Sequence, residues 1–534
     1  MKLKNIHNQY NAFEDKPVAY FCAEYALFDH DPLYAGGLGI LAGDYINEMV
    51  SQNFPAIAFG LFYHKNDEHG TEPSSERKTP PELGLTLVKK SDGSVLKLPI
   101  KIDKRTIYIQ AWQWKKNKVN LYLLDTQLEE NSSDDWKICD ELYVEDRYLR
   151  LEQEIILGIG GMKVLKALNI HPSVYHLNEG HSAFMLYELI KQEMKNRKIE
   201  FNEACKYAKR QVVFTNHTLV SAGQEMFDIA IMKTIFPEEF INLGLNSENG
   251  MFSMTNLALN MSSKVNAVSQ LHGKTANELW KNYQIESITN GINLDRWDSL
   301  KFYSHKEKKR ELIKLIEEKS HVSFDENTLL LGWARRFVEY KRPLAILGDI
   351  ERLKKLANIT NRKIQIVFSS SLNETYIEKN DFLKKIDDLM NNELKGMLAF
   401  IPSYDMRISK LMVSGCDIWL NTPIVGREAC GTSGMKACLN GVLPLTTKDG
   451  WIDEIDISAL GWEVTNSEKE DDITENLLTL LENTIVPEYY DNPNRWKERM
   501  NSARKLIMDK FSTKRMLDEY IQKLYIPISL SSYP

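Results

Sequence analysis

The sequence predicts an α/β protein in which two doubly wound halves face each other across a cleft. Short apolar strands alternate with helical segments along most of the 534 residues, and the alternation restarts after a charged stretch. A glycine-rich or basic segment follows a predicted strand in each half. Because ligands bind at the carboxyl ends of parallel strands in such sheets, we expect both halves to contribute to one cleft.

The chain divides into three expected parts. Residues 1–294 would form one Rossmann-like domain, residues 328–534 the other, and residues 295–327 the crossing between them. The crossing is charged, and its run Lys306–Lys309 alternates with acidic residues in a pattern typical of a solvated helix face. We also allow the last helix of the chain to pack back on the first domain.

Composition is that of an ordinary globular protein, with 43% hydrophobic and 26% charged residues. The net charge of −7 gives no basic field, so neither nucleic acid nor a membrane surface is expected as a partner. The six cysteines are sparse and include no C-x-x-C pair, which favours a reducing, cytoplasmic setting. No apolar run reaches membrane length, and the first residues lack a signal-type apolar region. The oligomeric state stays open, with a homodimer as one option.

The first half begins with a predicted strand at Val18–Cys22, followed by the string Y-A-G-G-L-G-I-L-A-G-D-Y (Tyr34–Tyr45). A glycine loop that runs into a helix can hold a phosphate with its backbone amides. A second buried strand is predicted at Pro55–Tyr63. The alternating segment Leu96–Gln127 predicts an antiparallel meander inserted in the domain.

Two later strands of this half end in histidines. After Ser173–Asn178 the chain reads E-G-H-S, and His176, Glu179 and His181 suggest a metal site. Residues on a strand end and a turn need not converge, so we expect no metal there and a structural, cleft-lining role instead. The strand Val212–Thr218 ends in T-N-H-T. At the carboxyl end of a parallel strand such a histidine can meet a ligand, although a structural role is more usual.

The second half opens with a basic cluster. A strand from Thr328 leads into A-R-R-F-V-E-Y-K-R-P, which would bring Arg335, Arg336, Lys341 and Arg342 to one strand end. Four like charges repel one another unless an anion lies between them, which favours an anion site. The alternative is a turn whose charges are screened by water and salt.

A second candidate segment reads W-L-N-T-P-I-V-G-R-E-A-C-G-T-S-G-M-K-A-C-L-N-G. It runs from a predicted strand (Asp417–Asn421) through small residues into a helix that carries Lys436. The amides at the start of this helix would point at an anion, with the helix dipole behind them. A lysine beside such a site can bind phosphate or form a Schiff base with pyridoxal phosphate. The alternative is a plain strand–turn–helix connection with a solvated lysine.

The string E-A-C-G-T-S-G-M-K-x-x-L-N-G resembles the pyridoxal-phosphate segment of the glycogen and starch (α-glucan) phosphorylase family, and T-S-G-M-K is similar to its short bacterial and archaeal branch. Matches to G-G-L-G, T-N-H-T, T-N-G-I and the basic string follow in the family's order from about Val18 to about Glu454. The resemblance implies the GT-B fold. It also implies retaining, reversible transfer of a terminal α-1,4-linked glucosyl unit to orthophosphate, which gives glucose 1-phosphate.

The resemblance further implies a pyridoxal 5′-phosphate cofactor on Lys436. The residues that would surround this cofactor are Arg335, Tyr404, Thr432, Ser433 and Gly434. The resemblance puts Arg336, Lys341 and the amide of Gly37 on the substrate phosphate, and it names Arg336, Lys341 and His217 as the catalytic set. The residues implied to bind the sugar or line its loop are His217, Asn290, Tyr340, Glu428, Cys430 and Gly431.

One residue departs from the family pattern, because both branches usually carry serine at the position of Cys430. Two other functions stay open, and Cys430 is the reason for the second of them. One is a GT-B glycosyltransferase that uses a nucleotide sugar, with Arg336 and Lys341 on the diphosphate and Lys436 merely structural. The other is a glucan-binding homologue that has lost turnover.

Overall fold

Two sheets built mainly from parallel strands organise the protein. The computed structural model describes residues 10–28, 33–65, 78–219, 224–246, 249–358, 362–370 and 380–531. In chain order the strands are β1 (Val18–Phe21), β2 (Ala56–Leu61), β3 (Thr86–Leu87), β4 (Leu98–Ile102), β5 (Arg105–Lys116), β6 (Val119–Asp125), β7 (Val174–Asn178), β8 (Val212–Thr215), β9 (Met226–Phe227), β10 (Phe252–Ser253), β11 (Lys264–Ala267), β12 (Ile285–Ser287), β13 (Leu329–Ala334), β14 (Ile364–Ser369), β15 (Leu398–Ile401), β16 (Ile418–Asn421), β17 (Leu443–Thr446) and β18 (Trp462–Glu463).

Helices connect the strands and cover both faces of the sheets. They are α1 (Gly37–Ser51), α2 (Ser133–Trp136), α3 (Arg147–Ile155), α4 (Gly161–Ala167), α5 (Met185–Arg197), α6 (Phe201–Lys209), α7 (Ile229–Ile235), α8 (Glu238–Gly244), α9 (Met254–Asn260), α10 (Gln270–Leu279), α11 (Leu294–Trp297), α12 (His305–Ser320), α13 (Ile350–Asn358), α14 (Asp381–Asn391), α15 (Met406–Gly415), α16 (Thr432–Leu439), α17 (Glu470–Leu480), α18 (Val486–Asp491), α19 (Pro493–Lys510), α20 (Thr513–Tyr520) and α21 (Ile526–Ser531). In the described part of the chain, no helix has both the length and the apolar character that a bilayer crossing requires.

Both sheets have doubly wound topology. The larger sheet has the strand order β12–β11–β8–β7–β1–β2–β6–β5–β3, with β4 paired to β5, and it is parallel from β12 to β6. The smaller sheet has the order β15–β14–β13–β16–β17–β18 and is parallel throughout. Strand order reverses between β1 and β7 in one sheet and between β13 and β16 in the other. The expected pair of doubly wound sheets is therefore confirmed.

The segment Leu96–Gln127 differs from the expected inserted meander. Strand β5 is antiparallel to both β4 and β6, but β6 also pairs in parallel with β2 and so belongs to the main sheet. The burial patterns explain this arrangement, because β6 is buried almost throughout whereas β5 alternates. A nearly continuous apolar strand such as L-Y-L-L is typical of a parallel sheet covered on both faces.

The buried side chains form two apolar clusters. The first spans residues 10–288 and gains further members between Met516 and Ile528, so the end of the chain packs against the larger sheet. The second lies mainly within residues 292–511. Helix α12, in the segment expected as the crossing, contributes Leu312, Leu315 and Ile316 to the second cluster. We propose a domain boundary on this basis, with α12 counted in the second domain.

Buried hydrogen bonds attach the end of the chain to the larger sheet through His176. Its Nδ1 lies 2.7 Å from Tyr525 Oη, and its Nε2 lies 2.7 Å from Thr215 Oγ1. Tyr45 Oη lies 2.9 Å from the same Tyr525 hydroxyl. Both nitrogens of His176 are thus engaged inside the core, so the expected cleft-lining role is wrong and its structural role holds.

The run Lys306–Lys309 also differs from the expected solvated face, because the side chain of Lys309 is only 3% exposed. Its Nζ donates to Asp417 Oδ2 at 2.6 Å and to the Thr328 carbonyl at 2.7 Å. Burial would raise the pKa of Asp417, but the charge of Lys309 holds it below its usual value. This ion pair fixes α12 to the amino-terminal edge of the smaller sheet.

Replacing Lys309 with Met should lower the free energy of unfolding by about 3–5 kcal/mol, because the buried Asp417 carboxylate would lose its charged partner. Lys306→Met on the same helix is the matched control. Lys306 pairs with Glu326 near the surface, where such a pair contributes about 0–1 kcal/mol. Urea unfolding followed by circular dichroism measures both variants, and equal midpoints would contradict the buried-pair account.

Candidate active site

The carboxyl ends of β13 and β16 carry an ion cluster centred on Glu428. Glu428 Oε2 lies 3.1 Å from Arg335 Nη1 and 3.0 Å from Lys341 Nζ. The three side chains are only 8–14% exposed. Because both cations are buried and paired, the alternative of a turn with solvent-screened charges is wrong for Arg335 and Lys341.

Electrostatics within this Glu428 cluster are strongly coupled. Burial would raise the pKa of Glu428, but the charges of Arg335 and Lys341 bring it down to about 2. Burial and the charge of the neighbouring Arg335 together lower the pKa of Lys341 to about 8, although Glu428 acts to raise it. The carboxylate is therefore ionised near neutral pH, whereas the lysine lies close to its titration point.

The other two cations of the predicted four behave differently. Arg336 is exposed and forms no ion pair with any described residue, although its charge acts on Lys341 and Tyr340. Arg342 turns away, and its guanidinium donates to the carbonyls of Pro423 and Ser467. The expected convergence of four cations is thus wrong for Arg342, because backbone carbonyls at the neighbouring loops satisfy its donors.

Two tyrosines border the cluster. Tyr340 is half-buried, and Lys341 Nζ lies 5.0 Å from its ring centroid. Tyr404 donates its hydroxyl to Ser409 Oγ at 2.9 Å. Burial raises the pKa of Tyr404 to about 12, and the nearby charge of Arg335 opposes that rise. The sequence-predicted residues Arg335, Tyr340 and Tyr404 therefore share one electrostatic environment.

Lys436 lies in the first turns of α16, as predicted, but it is buried. Its Nζ lies 4.1 Å from the centroid of the Trp297 ring and has no hydrogen-bond acceptor within the described ranges. Burial lowers the pKa of Lys436 to about 8, whereas Asp44 raises it. A desolvated lysine of this kind is a good nucleophile, because much of it is uncharged at mildly alkaline pH. The alternative of a solvated lysine is wrong.

Asp44 and Trp297 are site residues that the sequence reasoning missed. Asp44, on α1 of the first half, is 1% exposed and accepts from Trp297 Nε1 at 2.8 Å and from Arg296 Nη1 at 3.2 Å. Asp44 stands inside the quoted glycine string, so a signal for it existed. The segment by itself does not show that α1 lies close to Lys436 in the second half.

The loop before Lys436 has the geometry expected for a close approach. Gly431 has φ of +82°, in the left-handed region that favours glycine. The amide of Gly434 already donates to the Gly431 carbonyl at 3.3 Å, so the free amides of the first turn belong to Thr432 and Ser433. Ser433 Oγ accepts from Trp419 Nε1 at 3.4 Å. Helix α16 therefore begins at Thr432, and its dipole would direct the amides of Thr432 and Ser433 at an anion.

The first half contributes a glycine loop and two polar groups. Gly37 begins α1, and a Cβ there would meet nothing within 4 Å, so its backbone is open to a ligand. His217 Nε2 lies 2.7 Å from Asn178 Oδ1, and burial lowers the pKa of His217 to about 3. Asn290 is buried, and its Oδ1 has no partner among the described atoms.

Contacts between the halves run past Cys430. Ser269 Oγ donates to the Ala429 carbonyl at 2.7 Å, and Thr289 Oγ1 donates to Glu454 at 2.8 Å. Cys430 itself is 4% exposed and interacts with the backbone of Asn290, and burial raises the pKa of its thiol. Within the described residues, no hydrogen bond or ion pair joins Gly37 or His217 to the Glu428 cluster. The structure thus brings Arg335, Lys341 and Glu428 together and places Cys430 against Asn290, but within the described ranges no hydrogen bond or ion pair links Lys436 to either group.

Comparison with known proteins gives a family. The profile for carbohydrate phosphorylase matches residues 140–243 and 299–463, which is half of the chain. The maltodextrin phosphorylase of Thermococcus litoralis is 36% identical over 96% of this chain and 70% of its own length. The glycogen phosphorylase of Aquifex aeolicus is 30% identical over 98% of this chain and 88% of its own length. The chain belongs to the carbohydrate phosphorylase family.

Membership of the carbohydrate phosphorylase family agrees with the fold, because two facing doubly wound sheets constitute the GT-B arrangement expected from the sequence. The matched ranges include the basic segment after β13 and the whole of α16. They do not include Gly37 or Asn290. The parts of the site with the densest charge are therefore also the parts that the family profile recognises.

Glu428→Gln should destabilise the protein by about 3–5 kcal/mol in phosphate-free buffer, because two buried cations would lose their shared carboxylate. Orthophosphate at millimolar concentration should restore part of this loss by binding between Arg335 and Lys341. The matched control is Glu339→Gln, at an exposed position in the loop after β13 that carries Lys341. Thermal unfolding with and without phosphate tests this. If phosphate raises the unfolding temperature of the wild type, Glu428→Gln and Glu339→Gln equally, the cluster is not an anion site.

Proposed function

We propose that the protein is an α-glucan phosphorylase of the glycosyltransferase class. It transfers a terminal α-1,4-linked glucosyl unit to orthophosphate with retention, giving glucose 1-phosphate, and the reaction is reversible. The observation that carries the proposal is the Glu428 cluster, where buried Arg335 and Lys341 share one carboxylate and Arg336 has no ion-pair partner among the described residues. The names of the relatives, maltodextrin and glycogen phosphorylase, support it.

A pyridoxal 5′-phosphate cofactor on Lys436 fits the residues present. The amine is buried, has no acceptor within the described ranges and has a pKa lowered to about 8, as a lysine that condenses with an aldehyde requires. The free amides of Thr432 and Ser433 and the guanidinium of Arg335 would hold the cofactor phosphate, with Tyr404 beside them. When bound, that phosphate group supplies a proton donor and acceptor next to the substrate phosphate.

The substrate phosphate would lie against Arg336, Lys341 and the amide of Gly37. Two phosphate groups side by side repel each other, and cations beside them compensate that repulsion. An anion next to Lys341 also raises its pKa from about 8, so that the lysine stays charged in the complex. Once phosphate takes the cations, the Glu428 carboxylate can accept a hydrogen bond from a sugar hydroxyl.

The remaining polar groups of the cleft would orient the glucosyl unit. Asn290 offers an unpaired Oδ1, and Tyr340 and His217 add further hydrogen-bonding groups. Cys430 and Gly431 line the loop mainly with backbone, since the Cys430 carbonyl accepts from Trp451 N at 3.1 Å. A thiol in place of a hydroxyl therefore leaves the shape of the loop intact, which argues against a loss of turnover.

No observation on the described residues favours the nucleotide-sugar alternative. In that function Lys436 would be structural, yet its amine is buried and has no acceptor within the described ranges. Burying an amine without a hydrogen bond lowers the stability of the folded protein, and such groups are typical of functional sites. We place the enzyme in the cytoplasm, which its six free cysteines support.

Maltodextrin plus orthophosphate should yield glucose 1-phosphate, and the reverse reaction should extend a maltodextrin from glucose 1-phosphate. The purified protein should show the absorbance of a pyridoxal group, and borohydride reduction followed by peptide mapping should label Lys436. The control is UDP-glucose or ADP-glucose as donor. Glucan extension from a nucleotide sugar but not from glucose 1-phosphate would overturn the proposal.

Arg336→Lys should lower kcat/KM for phosphorolysis about a hundredfold, because lysine keeps the charge but loses the two-pronged guanidinium contact with phosphate. Cofactor content should not change, since Arg335 and Lys436 hold the cofactor. Arg427→Lys, at an exposed arginine next to Glu428, is the matched control. If Arg336→Lys loses cofactor and activity together, Arg336 binds the cofactor phosphate and Arg335 the substrate phosphate. If the variant keeps full activity, Arg336 does not contact the substrate phosphate.

A further inference from the structure

A series of three hydrogen bonds, two of them fully buried, leads from the imidazole of His217 to the end of β1. His217 Nε2 lies 2.7 Å from Asn178 Oδ1, Asn178 Nδ2 donates to Cys22 Sγ at 3.2 Å, and Cys22 Sγ donates to the Glu24 carbonyl at 3.2 Å. Asn178 ends β7 and Cys22 directly follows β1, and these two strands are parallel neighbours. The sheet register itself places the two side chains together.

The directions of these hydrogen bonds follow from the last acceptor of the series, the carbonyl of Glu24. A carbonyl oxygen only accepts, so the thiol proton of Cys22 goes to Glu24, and the sulfur can then only accept. The group of Asn178 that faces Cys22 is therefore the NH₂, and its carbonyl oxygen faces His217. Because that oxygen also only accepts, Nε2 of His217 must carry the proton. The neutral ring then has its lone pair on Nδ1.

The ring is neutral under working conditions. Burial, assisted by the nearby His272, lowers the pKa of His217 to about 3, so the ring does not acquire a second proton near neutral pH. The backbone amide of His217 donates to Glu179 Oε2 at 2.9 Å, which fixes the residue at the strand end. Its Nδ1 has no partner within the described part of the chain.

We propose that Cys22 and Asn178 are positioning residues that hold His217 in the tautomer protonated on Nε2, so that Nδ1 accepts a hydrogen bond from a hydroxyl of the glucosyl unit. The sugar contact rests on the proposed function, whereas the tautomer is a property of the protein alone. His217 is then a hydrogen-bond acceptor that selects a hydroxyl and does not donate a proton to the leaving group.

The tautomer can be measured without substrate. The full-length protein is prepared with ¹⁵N-labelled histidine, and long-range ¹H–¹⁵N spectra distinguish the two neutral tautomers; His217→Gln assigns the signal. We expect a neutral ring protonated on Nε2 from pH 6 to pH 8. A ring protonated on Nδ1, or an imidazolium in this range, overturns the proposal, and this measurement needs no variant of Cys22 or Asn178.

Substitution of Cys22 tests the relay, by which we mean the hydrogen bonds through Cys22 and Asn178 that hold the ring of His217. Cys22→Ala removes the acceptor for Asn178 Nδ2, so the amide can turn over and both tautomers of His217 should appear. The KM for glucan should rise about tenfold, with a smaller change in kcat, because the contact exists before and during the reaction. Cys22→Ser should restore both readouts, since a hydroxyl also donates to Glu24 and accepts from Asn178.

The matched control is Cys139→Ala, at another fully buried cysteine of the same half that contacts the Leu124 carbonyl. It should change neither the tautomer nor KM. If Cys22→Ala keeps a single tautomer and the wild-type KM, the relay does not position His217. If His217 is protonated on Nε2 but the protein does not catalyse phosphorolysis, the proposed function is wrong and the relay stands. If phosphorolysis occurs with His217 protonated on Nδ1, the relay is wrong and the proposed function stands.

Discussion

One carboxylate that neutralises two buried cations is the constraint on which the site depends. Taking Arg335 and Lys341 out of water costs several kcal/mol each unless a partner charge and hydrogen bonds compensate it, and Glu428 supplies that partner. Its own amide donates to Asp449 Oδ2 at 3.1 Å, which fixes the carboxylate in turn. The loops after β13 and β16 are therefore joined by this ion cluster, and the amide of Ile424 also donates to the Tyr340 carbonyl at 2.8 Å.

This arrangement explains how buried cations can be stable in the folded protein and still be able to meet a phosphate. Without an anion, Glu428 balances the cations, so that the folded protein does not bury uncompensated charge. With an anion, the same cations have a second partner, and the carboxylate becomes available to a hydroxyl. Lys341, with its pKa lowered to about 8, gains most from a new negative neighbour. Glu428 thus stabilises the cluster in the absence of an anion, and under the proposed function it would give up the cations to phosphate.

The two halves also depend on each other around Lys436. Asp44 of the first half acts on the charge of this lysine, and Trp297 lies against its amine. Farther away, the returning end of the chain packs in the first apolar cluster through Tyr525 and its neighbours. The helix that carries Lys436 is therefore in contact with residues from both halves. A change in the distance between the sheets would alter the environment of Lys436 and the contact between Ser269 and Ala429 together.

Much of this could be read from the sequence, because the responsible signals are local. The alternation of strands and helices determined two doubly wound sheets, and the strings around Arg335 and Lys436 determined where the charged groups of the second sheet lie. These groups follow strand ends directly, and strand ends of a parallel sheet meet at one edge. The position of Gly431 in the left-handed region likewise follows from residue type.

Tertiary structure decided the partners. Arg342 looked like a fourth cation of the cluster, but its guanidinium meets the carbonyls of Pro423 and Ser467. Lys309 looked solvated, but it is buried on Asp417, a residue 108 positions away. Asp44 lies in the glycine-rich segment Tyr34–Tyr45 and Asn178 ends a predicted strand, but the sequence indicated no role for either residue. A sequence pattern shows which residue types lie near a strand end, whereas hydrogen-bond partners come from distant segments, whose approach is fixed only when the sheets and helices pack.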